Sequence, residues 1–173
     1  MLLRGINLGA RNRVAMPKLR DLLAADGFED AVTYVQSGNV VLTSNLPPDK
    51  LARRCRRLIA DGLGLDVDVI ARTRDELAKV VARNPLGDVA VDPKRYQVTF
   101  LAKALGKDAV STLETFAAPE ERLVAIGREL YAWHPRGVAR SKLWAKLAGP
   151  GLGVAATARN WTTVTKLLEL ADA

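Results

Sequence analysis

The run ARSKLWAKLAGPGLGVAATARNWTTVTKLLEL, Ala139 to Leu170, reads as two short helices flanking a glycine-rich turn and one short strand. Arg140-Ser141-Lys142 opens the first helix, and Thr157-Ala158-Arg159-Asn160-Trp161 opens the second. Helix N-termini expose unpaired N–H groups and carry partial positive charge. Arg and Lys placed there cost stability unless an anion or a carboxylate answers them. Arg140, Ser141, Lys142, Arg159, Asn160 and Trp161 are therefore the first candidate site, for a phosphate or carboxylate gripped by forked guanidinium groups. A second reading makes Ser141 and Asn160 plain helix caps and pairs the arginines with Asp or Glu. Trp161 and Trp144 suit stacking on a base or sugar, or, as aromatics at helical spacing, the core.

The residues upstream repeat the same kinds of element. MLLRGI reads as a buried strand that starts abruptly at Met1, followed by a polar loop from Asn7 to Arg13. Pro17 suits a first helical turn, Leu19, Leu22 and Leu23 fall at helical spacing, and Gly27 stops that helix. Val32 to Gln36 and Val40 to Thr43 are strands joined by the tight turn Ser37-Gly38-Asn39. Pro47-Pro48-Asp49 introduces a helix from about Lys50 to Ala60, and Leu65 to Ala71 is a strand. Thr73 and Glu76 have the spacing of a capping box for a helix that ends near Asn84-Pro85.

After the turn-rich linker Gly87 to Lys94 the order begins again. Tyr96 to Ala102 is an alternating strand, Lys107 to Phe116 a helix, and Arg122 to Ile126 and Glu129 to Trp133 a hairpin about Gly127-Arg128. Ser141 to Leu147 is a helix, Val154 to Ala158 a strand and Asn160 to Ala171 the last helix. Each half reads β-α-β-β-α-β-α, and GLGLDVDVIAR (62–72) echoes GLGVAATAR (151–159). The expected fold is α+β: a tandem pair of ferredoxin-like (split βαβ) subdomains, residues 1–88 and 93–173, each with an antiparallel sheet. In that fold Arg140-Ser141-Lys142 and Arg159-Asn160-Trp161 meet at one sheet edge. Arg4 to Asn7 likewise meets the Gln36 to Asn39 hairpin.

Four of these segments, LRGINLG, YVQSGNVV, RSKL and TARNWTTVTKLLEL, resemble the signature blocks of the domain-of-unknown-function 1697 family over essentially the whole chain. The resemblance implies a tandem pair of ferredoxin-like α+β subdomains and carries no assigned activity. Members usually have a few residues before the LLRGIN block, so a short first strand is expected here. Ala139 and Thr162 stand where the family suggests glycine and asparagine.

The 173 residues carry 26 Lys and Arg against 19 Asp and Glu, a formal +7 that favours encounters with polyanions. An Arg- and Ala-rich composition also follows from genome-wide bias. The single Cys55 and single His134 exclude an internal disulfide, a Cys-based zinc site and a multi-His metal site. Neither metal nor cofactor is expected. Glu129 is the nearest carboxylate to His134 in the chain, and nothing in the spacing marks the two as a pair. No apolar run reaches membrane-spanning length and no signal peptide is evident, so a cytoplasmic protein is expected.

A second candidate site is the first-half edge: Arg4, Asn7, Arg11, Arg13, Gln36, Ser37 and Asn39. It combines a glycine-containing loop with amide and hydroxyl donors, although Ser-Gly-Asn also serves a tight hairpin on conformational grounds alone. Lys50, Arg53, Arg54 and Arg57 form a basic stripe opposite Leu51, Cys55, Leu58 and Ile59, suited to a nucleic-acid backbone or simply to solvent. No phosphate-loop or dinucleotide fingerprint is present. The leading expectation is a protein that binds a phosphate-bearing ligand, nucleic acid ahead of nucleotide, partly because RNA-binding domains share the ferredoxin-like scaffold. The alternatives are an enzyme acting on a small anionic substrate positioned by Arg140, Lys142 and Arg159, and a protein–protein adaptor.

Overall fold

The computed structural model describes residues 1–7 and 12–173. The chain runs β1 (Leu2–Leu3), α1 (Met16–Ala25), β2 (Val32–Tyr34), β3 (Asn39–Val41), α2 (Pro48–Leu63), β4 (Val69–Ile70) and α3 (Arg74–Arg83). It continues β5 (Tyr96–Leu101), α4 (Lys107–Glu114), β6 (Arg122–Ile126), β7 (Glu129–Trp133), α5 (Lys142–Ala148), β8 (Ala156–Asn160) and α6 (Trp161–Asp172). A 3-10 turn, Pro150–Leu152, follows α5. The order β-α-β-β-α-β-α thus occurs twice. The four-stranded sheets have orders β2-β3-β1-β4 and β6-β7-β5-β8, with every pairing antiparallel.

Two compact units result: Met1–Glu76 with Leu167–Ala173, and Leu77–Lys166. In the first, α1 and α2 cover one sheet face. Leu3, Ile6 and Val40 from the sheet side meet Leu19 and Leu23 of α1 and Leu51, Cys55 and Ile59 of α2. The α2 residues recur every four positions, so one stripe faces inward while Lys50, Arg53, Arg54 and Arg57 stay exposed. The helix starts two residues earlier than the sequence suggests, because Pro48 is tolerated in a first turn where no N–H partner is needed. It ends at Gly64, whose φ of 67° is the left-handed cap conformation. The expected capping box is formed: Thr73 N–H donates to Glu76 Oε2 (2.8 Å) and Glu76 N–H donates to Thr73 Oγ1 (3.1 Å).

Gly38 allows the β2–β3 hairpin to close onto β1. Its φ is +75°, and a Cβ there would lie 2.7 Å from Leu3 Cβ and 2.8 Å from Ile6 Cδ1. The close approach lets Leu3 N–H donate to the Gly38 carbonyl at 2.8 Å.

In the second unit β5 is the central strand and is buried at all six positions. Alternation sorts its side chains. Leu101, with Leu130, Ala132 and Ala156, packs under Leu113 of α4 and Leu143 and Leu147 of α5. Tyr96, Val98 and Phe100 point the other way, beside Trp133, Tyr131 and Glu129 of β7. β8 begins and ends two residues later than the sequence suggests. The 3-10 turn and the left-handed Gly153 (φ 69°) take up the preceding residues, and pairing with β5 then runs from Ala156↔Leu101 to Asn160↔Gln97. Arg159 therefore belongs to a strand rather than to the opening of a helix.

Candidate anion-binding site

One sheet edge gathers the first candidate cluster. β7 ends at Trp133 opposite Tyr96, and β8 ends at Asn160 opposite Gln97, so α5 and α6 both start from the edge where β5 begins. Main-chain bonds tie that edge together: His134 N–H donates to the Arg95 carbonyl (3.2 Å) and Trp161 N–H to the Pro93 carbonyl (3.0 Å). The Arg95 side chain bonds the Pro135 carbonyl and pairs with Asp92 at 3.2 Å.

Within this edge the six residues separate by face. Arg140, Ser141 and Lys142 lie at the start of α5, on the helix-covered side. Arg159 is opposite Val98 and so shares the face of Tyr96, Val98 and Tyr131. It is 8% exposed, and its Nη1 donates to Thr157 Oγ1 (2.8 Å) and the Ala158 carbonyl (2.7 Å). Burial alone pushes its guanidinium down to about 10. Trp161 stacks on Tyr96 at 4.8 Å between ring centroids. Ser141 and Asn160 are helix caps, accepting from the N–H groups of Trp144 and Thr163 at 2.9 Å each. Arg140 and Lys142 are exposed, and neither makes an ion pair or side-chain hydrogen bond among the described residues.

The carboxylate beneath the start of α5 is Glu121. Its Oε1 lies 2.6 Å from Nδ1 of His134, with both side chains buried, and its Oε2 accepts from Ala118 N–H at 2.9 Å. The nearby Ser141 hydroxyl also favours the charged form of this carboxylate. Burial on its own would raise the Glu121 value, but Ser141, Ala118 and His134 outweigh it and hold the carboxyl below its ordinary range. This carboxylate therefore pins the His134 end of the loop from Pro135 to Arg140. Glu129 is not the partner of His134; it lies on the opposite sheet face beside Phe100. The hairpin turn held the missed signal. Counting outward from Gly127-Arg128, the pairs Ile126↔Glu129 through Arg122↔Trp133 continue to Glu121 and His134. Among the described residues the imidazole Nε2 is buried without a hydrogen-bond partner, and the ring meets Trp144 edge-on at 5.8 Å.

In the first unit, Asn7, Ser37 and Asn39 are taken up by bonds to neighbouring segments. Asn7, at φ 54°, donates from Nδ2 to the carbonyls of Gln36 (2.7 Å) and Val14 (2.9 Å), and its Oδ1 accepts from Val14 N–H (2.8 Å). Asn39 is buried and donates to the Tyr34 carbonyl (3.1 Å) and Ser37 Oγ (3.0 Å). Arg4 pairs with Asp68 at 3.3 Å. Arg13 and Gln36 are exposed; Arg11 lies outside the described residues. On α2, Arg54 binds Asp26 (2.7 Å) with its guanidinium over Phe28, while Arg56 binds Asp66 (2.6 Å) and Asp68 (2.9 Å). Cys55 is a buried free thiol, pushed up to about 11 by burial. Among the described residues no three His, Cys, Asp or Glu side chains group as a metal site, and no helix is long and apolar enough to cross a membrane.

Charge is unevenly divided. The first unit holds 12 Lys and Arg against 12 Asp and Glu, whereas the second holds 14 against seven, so the whole formal +7 lies in residues 77–166. The exposed cations on the second unit's edge include Lys94, Arg95, Arg122, Arg136, Arg140 and Lys142, of which Arg95 and Arg136 pair with Asp92 and Glu120. The sheet face itself is closed: Tyr96, Val98, Phe100 and Tyr131 are at most 1% exposed. RNA-recognition domains stack bases on such a face only when it is open.

These features define an α+β protein of two antiparallel-sheet units, one neutral and one basic, with a cationic rim at the edge of the basic unit's sheet. The family described as "Protein of unknown function (DUF1697)" matches residues 1–131, and the chain belongs to it. That match stops short of RSKL and TARNWTTVTKLLEL, the two C-terminal blocks. A solved structure of similar fold covers them. The conserved bacterial protein SP0830 from Streptococcus pneumoniae is 22% identical, with a TM-score of 0.75 over 98% of this chain and 96% of that one. At that identity the likeness is one of fold. No curated protein matches the chain.

Proposed function

We propose that the protein binds a phosphate-bearing ligand, nucleic acid ahead of nucleotide, at the cationic rim of its second unit. The observation that carries this is the segregation of charge. The first unit's cations are balanced in number and several are bound to Asp, whereas the second unit carries the surplus, and its exposed Lys94, Arg140 and Lys142 near the start of β5 make no ion pair among the described residues. A one-signed surplus concentrated on one rim raises the local concentration of polyanions and speeds their encounter. Arg140 and Lys142 are the contact residues in this reading. Arg159, Asn160 and Trp161 support the edge from within, through the sheet, the α6 cap and the stack on Tyr96.

We also infer that each half is ferredoxin-like. The support is the twofold βαββαβ order with the edge-to-edge strand order 4-1-3-2 in both sheets. In this reading the repeat divides in the linker between residues 88 and 93, whereas the compact units divide within α3 and α6. A single, buried, unpaired cysteine suits a reducing cytoplasm.

The test is fluorescence anisotropy of labelled oligonucleotides over a range of salt, for the wild type and an Arg140→Ala, Lys142→Ala variant, with a nucleoside triphosphate as competitor. Salt-sensitive binding that weakens in the variant is expected, with poor competition by the free nucleotide. Absence of binding at low salt, or binding indifferent to the two substitutions, refutes the assignment.

A further inference from the structure

We propose that the rim takes the phosphate backbone of double-stranded nucleic acid through charge alone, without stacking unpaired bases and without reading base edges. This rests on the function proposed above and specifies how that site recognises its ligand.

Three uncharged polar side chains at the edge are engaged within the fold. Ser141 Oγ accepts from the Trp144 N–H, Asn160 Oδ1 caps α6, and Gln97 Nε2 donates to the Lys94 carbonyl at 2.9 Å. Atoms so engaged are not offered to the donor and acceptor pattern of a base edge.

The aromatic rings are committed too. Tyr96 and Trp161 stack on each other, Trp133 is 7% exposed, and Trp144 meets the His134 ring. Proteins that hold single strands combine a basic track with aromatic platforms for successive bases. At this rim the basic component faces solvent while the rings face one another.

What remains outward is charge. Lys94, Arg140 and Lys142 are exposed and make no side-chain hydrogen bond or ion pair among the described residues. The Arg136 side chain is 86% exposed beside Glu120. A guanidinium that reads guanine must be held in one orientation, and no neighbour orients Arg140. The loop carrying Arg136 and Arg140 is nonetheless tied down, by Glu121 at its His134 end and by main-chain bonds from Gly137 N–H to the His134 carbonyl (2.8 Å) and from Ser141 N–H to the Val138 carbonyl (3.1 Å). Exposed cationic tips on a tied loop suit the high phosphate density of a duplex, which carries one charge per roughly 1.7 Å of helix axis.

The experiment is anisotropy with two short duplexes of unrelated sequence and their separated strands, over a series of salt concentrations. The wild type is compared with a Lys94→Ala, Arg140→Ala, Lys142→Ala variant, whose unchanged circular dichroism establishes that it is folded. The two duplexes are expected to bind within about twofold of each other and more tightly than either strand. The slope of log K against log salt should flatten by about 0.9 for each phosphate contact removed, approaching ~2.7 in the triple variant. A sequence preference beyond about tenfold, tighter binding of single strands, or a wild-type slope in the triple variant overturns the inference. A sequence preference or single-strand preference leaves the phosphate-ligand reading intact. No binding of any probe at low salt takes down both.

Discussion

Replacing Gly38 with alanine tests how the first unit is closed, because two independent costs meet at one methyl group. The first is conformational. Gly38 has φ +75°, and an L-residue in the left-handed region costs about 1–2 kcal/mol. The second is steric. The new Cβ would lie 2.7 Å from Leu3 Cβ and 2.8 Å from Ile6 Cδ1. Leu3 and Ile6 are 1% and 2% exposed, and Leu3 Cβ is fixed to the backbone rather than at the end of a flexible chain. Backbone must therefore shift, straining the 2.8 Å bond from Leu3 N–H to the Gly38 carbonyl. Overpacking of this kind costs about 1–3 kcal/mol, for a total of roughly 2–5 kcal/mol. Gly64→Ala is the control. Gly64 has φ +67°, but nothing lies within 4 Å of its Cβ position, so it bears the conformational cost alone. Urea denaturation followed by circular dichroism should lower the midpoint for both variants with m unchanged, and by clearly more for Gly38→Ala. Equal losses in the two variants would refute the close approach of the hairpin to β1.

The other predictions concern buried titrating groups. Glu121→Gln should cost about 2–3 kcal/mol at neutral pH, since a charge-assisted bond to His134 and the bond from Ala118 N–H are weakened together. Because the folded carboxyl is held below its ordinary range, its stabilisation is full above the unfolded value and lost as pH falls through the folded one. The gap between wild type and variant should accordingly shrink in acid; a gap that stays constant on acidification in thermal melts would contradict the buried pair. On the alkaline side, burial raises Tyr96 and Tyr131 to about 12 and Cys55 to about 11, with the Glu129 charge adding to Tyr131. The unfolded chain gives up those protons first, so the stability they contribute is complete below their unfolded values and falls as pH rises, by on the order of 2–3 kcal/mol per group. Arg159, lowered to about 10, opposes this as a single group. Net destabilisation above pH ~10 is expected, with a shallower alkaline limb in Tyr131→Phe; melts that stay flat into alkali would contradict the burial of these rings.

The long, strongly patterned elements were legible in the sequence because a local cause fixes each of them. Pro17, the Thr73–Glu76 box and the Gly127-Arg128 turn act on their immediate neighbours, and the helices and hairpin they bound are where the periodicity puts them. The short strands β1, β2 and β4 were overextended, since alternation continues past the point where partner strands stop. The position of Arg159 depends on which residues of β8 pair with β5, a non-local choice decided by the turn at Gly149–Gly153. Local pattern sees a cation before a helix; pairing makes it a strand residue opposite Val98. The Glu121–His134 contact was readable in principle from hairpin register, but nearness along the chain offered only Glu129, which nothing marked as a partner. Of the candidate site, the shared edge followed from topology, whereas the division of its residues between two faces needed the register.

The second unit is one unbroken stretch, while the first needs residues from both sides of it, Met1–Glu76 and Leu167–Ala173. Arg74 Nε and Asp172 Oδ1, 98 positions apart in sequence and 2.6 Å apart in space, fasten those pieces. In thermodynamic terms the basic unit behaves as an insertion whose ends the neutral unit brings together. The entropy of that closure grows only slowly with the length inserted, so the arrangement tolerates a large guest.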